Sequence, residues 1–397
     1  MKIVIVTYAL EVGGVETFIK HIYNYFREQG HEVIILETLK IGKWSRTFSD
    51  EGYSVKQILP RFYNSRIQQC KKISKFLSGF DLVILNDAPY AQASLGLLNN
   101  NIIAIPVLHN NFKSIINNAL ANSENWDAVV AVSPKLLSQI DVKLVGTKRV
   151  ACIPNGVKIH SQDRRCTLMS GSDKLFRLIY IGTMNHFQKG VFYLPEIFKN
   201  IALEFPNIQF DLLGDGVDIE ALKKSFNSIA EGKVLFHGMV DNSIALEMLK
   251  ESDVLIMPSH FEGLPIVLLE AMAAGVVPVV SMLEKITDFV ITDKEDGRLI
   301  GVGDSRGFTK AILDLANDQV MLNRMSTEAR RTMENRFSYK IMARGYLDLF
   351  SELEDARKVT KLKRTGIIDL TLLGDFPYLP LALVRPLRKV LKIISLY

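Results

Sequence analysis

The stretch PSHFEGLPIVLLEAMAAGVVPVVS, residues 258–281, decides how this chain folds. It predicts a helix between Pro265 and Gly275, because proline at a first helical position loses no hydrogen bond and glycine commonly ends a helix. Apolar residues occupy nearly every position between these two and would surround the helix axis. A helix that is apolar on all sides is buried. The run VVPVVS that follows, at 276–281, is typical of a buried strand.

One carboxylate interrupts this apolar helix, at Glu270, and a second, Glu262, precedes it by eight residues. Burying an unpaired carboxylate is costly, so Glu270 needs a partner. The partner is either a lysine or arginine, or a ligand with paired hydroxyls such as a sugar. Glu262 is either a solvated loop residue or a second contact to the same ligand, because a helix N-terminus also favours the charge of a diphosphate.

Length and composition indicate a globular protein of two domains. The chain has 397 residues, of which 48% are hydrophobic and 23% are charged. Its three cysteines have no metal-like spacing, which favours a reducing compartment with neither a zinc site nor a disulfide framework. The apolar N-terminal run fits a strand better than a signal peptide. No apolar run has the roughly 18 residues of a membrane span.

The positive charge is concentrated in the last 41 residues, 357–397, which carry nine Lys/Arg against Asp369 and Asp375. That segment has a net charge of +7, so the rest of the chain carries −2 of the total of +5. The body therefore lacks the basic stripe of a nucleic-acid-binding protein. The final run VRPLRKVLKIISLY mixes basic and apolar residues, which is typical of an anchor at a membrane surface. A tail that packs on the N-terminal domain is an equal alternative.

Short apolar runs alternate with amphipathic stretches along the chain, which predicts parallel sheets covered by helices on both faces. We therefore expect two Rossmann-like α/β domains that face each other across a cleft. The predicted strands are 3–9, 31–36, 81–86, 102–108, 128–133, 176–182, 209–214, 233–238, 253–259 and 276–281.

The polar segment 158–174 lacks a strong period and is predicted to be the interdomain linker. The other predicted parts are a first domain at 1–157, a second domain at 175–337, a helix at 338–356 and the tail at 357–397.

Residues that follow the strands are the candidates for chemistry, because open α/β sheets bind ligands beyond the carboxyl ends of their strands. Gly13 and Gly14 follow the first strand, where they are either a tight turn or a close approach to an anion. His109 ends the run IIAIPVL and is either a loop histidine or a donor to a sugar or phosphate. Lys189 follows the first strand of the second half and is either solvated or a contact to a phosphate.

The motifs of this chain resemble those of glycosyltransferase family 4, the retaining enzymes of GT-B architecture. The glutamates stand in its E-x7-E pattern as EGLPIVLLE. Supporting matches cover residues 1–345 in order: GGVET, AVVAVSP, IPNGV, the QKG of Lys189, LLGDG, FHGMV and ESDVLIMPSHFEG.

This resemblance implies that 1–157 is the acceptor-side domain, that 175–337 binds the nucleotide sugar, and that the helix at 338–356 crosses back to the first domain. It also implies a role for each matching position. Glu270 would bind the ribose hydroxyls, Glu262 the transferred sugar, and Lys189 the diphosphate. His109 would lie near the reacting sugar, and Gly13 and Gly14 near the phosphates or acceptor. As a set, the implied catalytic residues are His109, Lys189 and Glu262, and the implied donor contacts are Lys189, Met239, Val240, Glu262, Gly263, Leu264, Pro265, Ile266 and Glu270.

Two positions depart from the family pattern. Thr183 stands where the family often has an arginine that makes a second diphosphate contact, so Lys189 lacks its usual companion unless Lys285 serves. The residues SMLEK follow the strand at 276–281, where the family often carries glycines.

The implied function is retaining transfer of a hexosyl or N-acetylhexosaminyl group from a nucleotide-diphosphate sugar. UDP is the first choice of nucleotide and GDP the second, and no metal or other cofactor is expected. The acceptor would be a saccharide or lipid-linked hydroxyl in bacterial surface polysaccharide or glycolipid synthesis, at the cytoplasmic face of the membrane. The alternatives are a sugar-nucleotide 2-epimerase and a non-catalytic nucleotide-sugar-binding partner; a hydrolase using the two carboxylates ranks lower.

Overall fold

A computed structural model of the chain describes residues 1–11, 13–140, 149–159, 175–227, 232–359, 363–384 and 386–387. The chain divides into two compact units, Met1–Pro154 with Met342–Tyr397, and Asn155–Ile341. Most of the predicted linker, 160–174, and the last ten residues of the predicted tail lie outside the described residues.

The first unit is built on a seven-stranded parallel sheet with the strand order β3-β2-β1-β4-β5-β6-β7. Ile5 of the central strand lies opposite Ile35 on one side and Ile84 on the other. The strands β1 to β7 are Lys2–Thr7, Glu32–Glu37, Val55–Gln57, Leu82–Asn86, Ile103–Leu108, Ala128–Ala131 and Arg149–Cys152. The described helices that connect them, α1 to α6, are Gly14–Glu28, Ser45–Asp50, Arg66–Leu77, Pro89–Ser94, Lys113–Leu120 and Pro134–Leu137.

The second unit is built on a six-stranded parallel sheet with the order β10-β9-β8-β11-β12-β13. Strands β8 to β13 are Phe176–Ile181, Ile208–Leu213, Val234–Gly238, Val254–Met257, Val277–Ser281 and Arg298–Ile300. Its described helices, α7 to α14, are His186–Lys189, Leu194–Glu204, Ile219–Asn227, Asn242–Lys250, Ile266–Ala273, Thr287–Val290, Ser305–Asn317 and Gln319–Arg336. A last helix, α15, spans Tyr339–Val359.

The two parallel α/β sheets confirm the fold class that the apolar runs predict. The central strands are buried along their whole length, as β4, β5 and β11 show. Parallel strands that helices cover on both faces need apolar side chains at every position. The sequence analysis missed β3, β7 and β13, which have three or four residues and are largely half-buried or exposed.

The described part of the C-terminal tail, 363–384, packs on the first unit. Gly366 donates its amide to the carbonyl of Gly96, and Asp369 to that of Ala93. Further along, the chain forms an antiparallel bridge between Pro380 and Ser65. Of the two alternatives for the tail, these residues show packing on the N-terminal domain. Among the described residues, no helix combines the length and the apolarity that crossing a bilayer requires.

Candidate active site

The helix α11 that carries Glu270 runs from Ile266 to Ala273, so Pro265 precedes it instead of opening it. It ends in a Schellman motif: Val276 donates its amide to the carbonyl of Ala271, and Gly275 to that of Met272. Gly275 has φ +76, a left-handed conformation that glycine adopts without strain. The sequence therefore determines where this helix ends through one glycine.

The helix is not buried on all sides. Its three half-buried positions, Val267, Glu270 and Ala274, are spaced by three and four residues, so they share one face. Burial raises the pKa of Glu270 to about 7 from an ordinary 4.5, although its carboxylate accepts a hydrogen bond from the Asn242 side chain. No lysine or arginine among the described residues forms an ion pair with it. The ion-pair alternative for Glu270 therefore finds no support in the described part of the chain.

Glu262 is buried and paired, so it is not the solvated loop residue of the alternative interpretation. Its side chain is 5% exposed, and its two carboxylate oxygens lie 2.7 and 3.0 Å from the Lys189 Nζ. The Ser259 hydroxyl donates a third hydrogen bond to the same carboxylate, at 2.7 Å. Two residues that the sequence suggested independently, 73 positions apart, thus contact each other directly.

The backbone holds the segment of Lys189 against the loop of Glu262. His260 donates its amide to the carbonyl of Gln188 at 2.8 Å, and its Nδ1 lies 3.0 Å from the carbonyl oxygen of Phe187. Gly190 ends the short helix α7 with φ +62, and a Cβ there would lie 2.1 Å from the carbonyl oxygen of Pro258. A side chain at position 190 would push the two segments apart and separate the ion pair.

Asn155 holds the loop from the other side and is a residue that the sequence analysis did not assign to the site. It is buried, and its side-chain amide donates to the carbonyl of Leu264 at 3.2 Å. Its side-chain oxygen has no hydrogen-bond partner among the described residues. The motif IPNGV was the signal for it, since the same asparagine is part of that match. Ser259 and Asn242 were missed as well: Ser259 is part of the match ESDVLIMPSHFEG, whereas no sequence signal marked Asn242.

The remaining donor candidates of the second unit differ in how exposed they are. Met239 is exposed and Val240 is half-buried, immediately after β10. Thr183 is exposed, and its carbonyl accepts a hydrogen bond from the Tyr180 hydroxyl. Lys285 has φ +60, so its backbone keeps the left-handed conformation that suits the glycines of the family pattern. Gly263, Leu264, Pro265 and Ile266 are buried at the start of α11.

His109 and the glycine pair belong to the first unit, at the carboxyl ends of its central strands. The His109 Nε2 lies 2.7 Å from the side-chain oxygen of Asn86, the last residue of β4. Its ring packs edge-on against Phe18, on the first turns of the helix that Gly13 and Gly14 open. Burial lowers the pKa of His109 to about 3, so its imidazole is neutral at physiological pH.

The start of α1 already carries a carboxylate. Glu16 is buried there and accepts a hydrogen bond from the Glu11 amide at 2.8 Å. Burial raises the pKa of Glu16 to about 7. An anionic ligand at Gly13 and Gly14 would approach this side chain, so a neutral Glu16 would favour its binding.

In the described parts of the chain, no group of three or more histidine, cysteine, aspartate and glutamate side chains could hold a metal ion.

Comparison with known proteins identifies both halves of the chain. Residues 12–161 match the family described as Glycosyltransferase Family 4, and residues 176–318 match the one described as Glycosyl transferases group 1. The chain is 24% identical over 370 residues to the phosphatidyl-myo-inositol mannosyltransferase of Mycolicibacterium smegmatis, covering 88% of this chain and 93% of that protein. It is 27% identical over 218 residues to an Escherichia coli enzyme, covering 53% and 56% of the two chains. That enzyme is a UDP-Gal:alpha-D-GlcNAc-diphosphoundecaprenol alpha-1,3-galactosyltransferase.

A solved structure supports the same assignment at the level of the fold. HepE from Anabaena, crystallised with UDP and glucose, superposes with a TM-score of 0.74 at 16% identity, covering 89% of this chain and all of that one. The parallel sheets have the organisation of the GT-B fold. With its two halves matching the two family descriptions in order, this chain belongs to the group 1 glycosyltransferases of family 4.

Proposed function

We propose that this chain transfers a hexosyl or N-acetylhexosaminyl group from a nucleotide-diphosphate sugar, with retention of anomeric configuration. UDP is the nucleotide we would test first, because HepE and the E. coli relative use or bind UDP compounds by their names, and GDP comes second. The acceptor is a hydroxyl of a saccharide or a lipid-linked saccharide. Relatives named for a phosphatidylinositol and a diphosphoundecaprenol acceptor support synthesis of a glycolipid or surface polysaccharide at the cytoplasmic face of a membrane.

The observation that carries this proposal is the contact between Lys189 and Glu262, one loop before the half-buried Glu270. A diphosphate bound at Lys189 would accept hydrogen bonds that the Lys189 ammonium now donates to Glu262. The Glu262 carboxylate could then accept hydrogen bonds from another group. The freed oxygens of Glu262 could then accept hydroxyls of the transferred sugar. Both groups are prepositioned by backbone contacts, which is how an enzyme favours the charge that develops on a leaving group.

Glu270 has the properties that binding a ribose requires. Its carboxylate is held on a rigid helix, open on one face, and has room for acceptor bonds beyond the one from Asn242. An ionised carboxylate accepts hydrogen bonds from two adjacent hydroxyls, and such charge-assisted bonds are the strong ones. In this proposal the ribose lies at Glu270, the diphosphate at Lys189 and the transferred sugar at Glu262.

The neutral imidazole of His109 would contribute a hydrogen bond near the reacting sugar instead of a positive charge. No protein base is assigned, because in this family's front-face mechanism a donor phosphate oxygen helps to remove the acceptor proton. Lys189 then stabilises the departing diphosphate as the sugar becomes oxocarbenium-like.

The test of this proposal is donor binding followed by transfer. Thermal shifts with UDP-, GDP- and dTDP-sugars would name the donor, and NMR of the product would show its anomeric configuration. Turnover of the nucleotide sugar without any acceptor would support the epimerase alternative instead. Binding without any turnover, with acceptors offered on vesicles and in solution, would support a non-catalytic partner.

Replacing Glu270 by glutamine is expected to weaken donor binding by about tenfold to a hundredfold, the loss of one charge-assisted hydrogen bond. Isothermal titration calorimetry with the identified donor measures the affinity of each variant. Glu295→Gln, an exposed glutamate of the same unit, is the matched control and should bind as the wild type does. Equal affinity of Glu270→Gln and the control would remove Glu270 from the donor site.

Donor affinity is expected to rise with pH between about 6 and 8. The pKa of Glu270 is raised to about 7, so its carboxylate is mostly protonated at the lower pH and mostly ionised at the higher one. Only the ionised form accepts from both ribose hydroxyls, so the apparent affinity should be about tenfold weaker at the lower end. The Glu270→Gln variant should lose this pH dependence. Ionisation of Glu16, whose pKa is also raised to about 7, acts in the opposite direction, so the difference between the two profiles is decisive. A Glu270→Gln profile that rises with pH as steeply as the wild-type profile would contradict the assignment.

Replacing Lys285 by glycine separates a backbone effect from a charge effect. The left-handed backbone at Lys285 is strained for a side-chain-bearing residue, so glycine should stabilise the protein by up to about 1 kcal/mol. If the Lys285 ammonium replaces the arginine missing at Thr183, the same change should weaken donor binding about tenfold. Lys294→Gly is the control, because Lys294 also has a positive φ, of 66°. It should give the same stability change, measured by urea unfolding, and unchanged donor affinity.

A further inference from the structure

Asn86 is a buried asparagine whose side-chain amide contacts both neighbours of its strand. It ends β4, which lies between β1 and β5, and it is paired with Thr7 on one side and with Val107 on the other. Its side-chain nitrogen lies 3.3 Å from the carbonyl oxygen of Val6 in β1. Its side-chain oxygen lies 2.7 Å from the Nε2 of His109, which follows β5. The three strands thus determine how this amide is oriented.

The orientation of the amide determines which nitrogen of His109 carries the hydrogen. A backbone carbonyl only accepts hydrogen bonds, so the amide nitrogen of Asn86 must face Val6 and the amide oxygen must face His109. That oxygen also only accepts, so the Nε2 beside it is the protonated ring nitrogen. Burial lowers the pKa of His109 to about 3, so the ring carries a single N–H at neutral pH. The Nδ1 is therefore an unprotonated acceptor.

The plane of the imidazole ring is fixed by aromatic packing. The ring lies edge-on to Phe18 of α1, with 4.7 Å between the ring centroids. Phe18 is fully buried and packs in turn against Tyr346 of α15, with 5.8 Å between the centroids. His109 itself is half-buried, and its Nδ1 forms no hydrogen bond with any residue that the structure describes. The Nδ1 is thus an acceptor that is held in a fixed direction.

We propose that Asn86 is a positioning residue that fixes His109 as a hydrogen-bond acceptor, and that the His109 Nδ1 accepts from a hydroxyl of the transferred sugar. The proposal rests on the proposed function, since it takes a nucleotide sugar as the ligand. A nitrogen without a hydrogen cannot donate to a phosphate or a carboxylate. The site therefore favours a sugar with a hydroxyl at this position over a deoxy sugar or one with a carboxylate there, because a polar group left without its partner is costly.

The alternative is that Asn86 only satisfies buried polar groups of the sheet. Its removal would then lower stability and would change neither the tautomer of His109 nor the response to individual sugar hydroxyls. Both of these properties can be measured separately from stability.

The tautomer is tested by NMR of the full chain with ¹⁵N-labelled histidine rings, without any ligand. Protonated and unprotonated ring nitrogens have distinct chemical shifts, and His109→Gln identifies the signals of His109. We expect a protonated Nε2 in the wild type and a shift towards the Nδ1-protonated form in Asn86→Leu. Asn86→Asp keeps an acceptor oxygen and should keep the wild-type tautomer at about pH 8, although its carboxylate raises the pKa of the ring.

Asn64→Leu is the matched control for this experiment. Asn64 is another buried asparagine of the first unit, and it forms no hydrogen bond with His109. Its replacement should leave the His109 signals unchanged. A wild-type spectrum with a protonated Nδ1 would overturn the proposal, and so would an Asn86→Leu spectrum equal to that of the wild type.

Transfer kinetics test the contact with the sugar. Asn86→Leu should lower kcat/KM for the natural donor about tenfold, the effect of losing one hydrogen bond, and Asn86→Asp should retain more activity. Among donor analogues that each lack one sugar hydroxyl, one should react equally well with the wild type and with Asn86→Leu, because its contact with the Nδ1 is already missing. The same tenfold difference with every analogue would overturn the sugar contact. Absence of any transfer by the wild type would reject the proposed function, whereas the ligand-free NMR experiment decides the tautomer independently.

Discussion

Replacement of Lys189 by alanine is expected to lower the turnover number of sugar transfer by about a hundredfold to a thousandfold. The Lys189 ammonium is the cation that the proposed function assigns to the diphosphate, and Thr183 supplies no second one. Removing a preorganised group that stabilises developing charge costs that much in other enzymes. The measurement is a steady-state transfer assay with the identified donor, and the KM for donor should change less than the turnover number.

The single substitution also breaks a buried ion pair, so its effect on stability must be separated from its effect on catalysis. Glu262 would remain buried with only the Ser259 hydroxyl as a partner, and breaking such pairs costs about 3–5 kcal/mol. The double variant Lys189→Met with Glu262→Gln removes both charges. We expect it to recover most of the lost stability and none of the lost activity.

A third variant, Lys189→Arg, keeps the charge and changes the geometry. It should retain more activity than Lys189→Met in the double variant, because a guanidinium also neutralises a diphosphate. If the double variant instead recovers activity together with stability, Lys189 is structural only. Its proposed contact with the leaving group would then be wrong.

The fold was predictable from the sequence wherever burial dictates composition. A run such as LVIL in β4 is apolar at every position because helices cover both faces of its sheet. The three missed strands, β3, β7 and β13, are all edge strands. Edge strands need few apolar residues and are kept short, so they leave no periodic signal.

The candidate site was predictable as residue types and not as contacts. Glu262 and Glu270 stand out because a carboxylate in an apolar stretch needs an explanation. Their contacts do not: Lys189 was a candidate for a phosphate and not for Glu262, and Asn242 is an ordinary polar residue until the chain brings it near. The contact between Lys189 and Glu262 depends on Gly190, whose left-handed backbone lets the chain pass close to Pro258. A close contact between two distant segments cannot be recognised from the spacing or the composition of the sequence.

The tail is a second case in which the sequence showed the residue types and not their contacts. Its basic and apolar composition suggested either an anchor or a packed segment. The hydrogen bonds from 366–382 to the first unit show packing. This packing buries Leu373 and Val384 and leaves Tyr378 and Leu383 exposed. Composition reports what a segment contains, whereas only the pairing shows which residues it leaves exposed.

Replacement of Asp127 by alanine is expected to destabilise the protein by about 3–5 kcal/mol and to release the tail. The Asp127 carboxylate is 5% exposed and pairs with the guanidinium groups of Arg357 and Arg364, of which the second is 2% exposed. Without Asp127 two buried cations would face each other with only carbonyl acceptors. Burial already lowers the pKa of Arg364 to about 10, although the charge of Asp127 acts to raise it.

Hydrogen exchange and urea unfolding together measure this effect, with the surface pair of Arg149 and Glu352 as the control. That pair is more than half exposed on both sides, so Glu352→Ala should cost less than about 1 kcal/mol. In Asp127→Ala the amides of 366–382 should exchange faster than those of β1 and β4, since the arginines tie the tail to Asn100, Ile102 and Asn125. If Asp127→Ala matches the control, the tail is held by its backbone pairing alone.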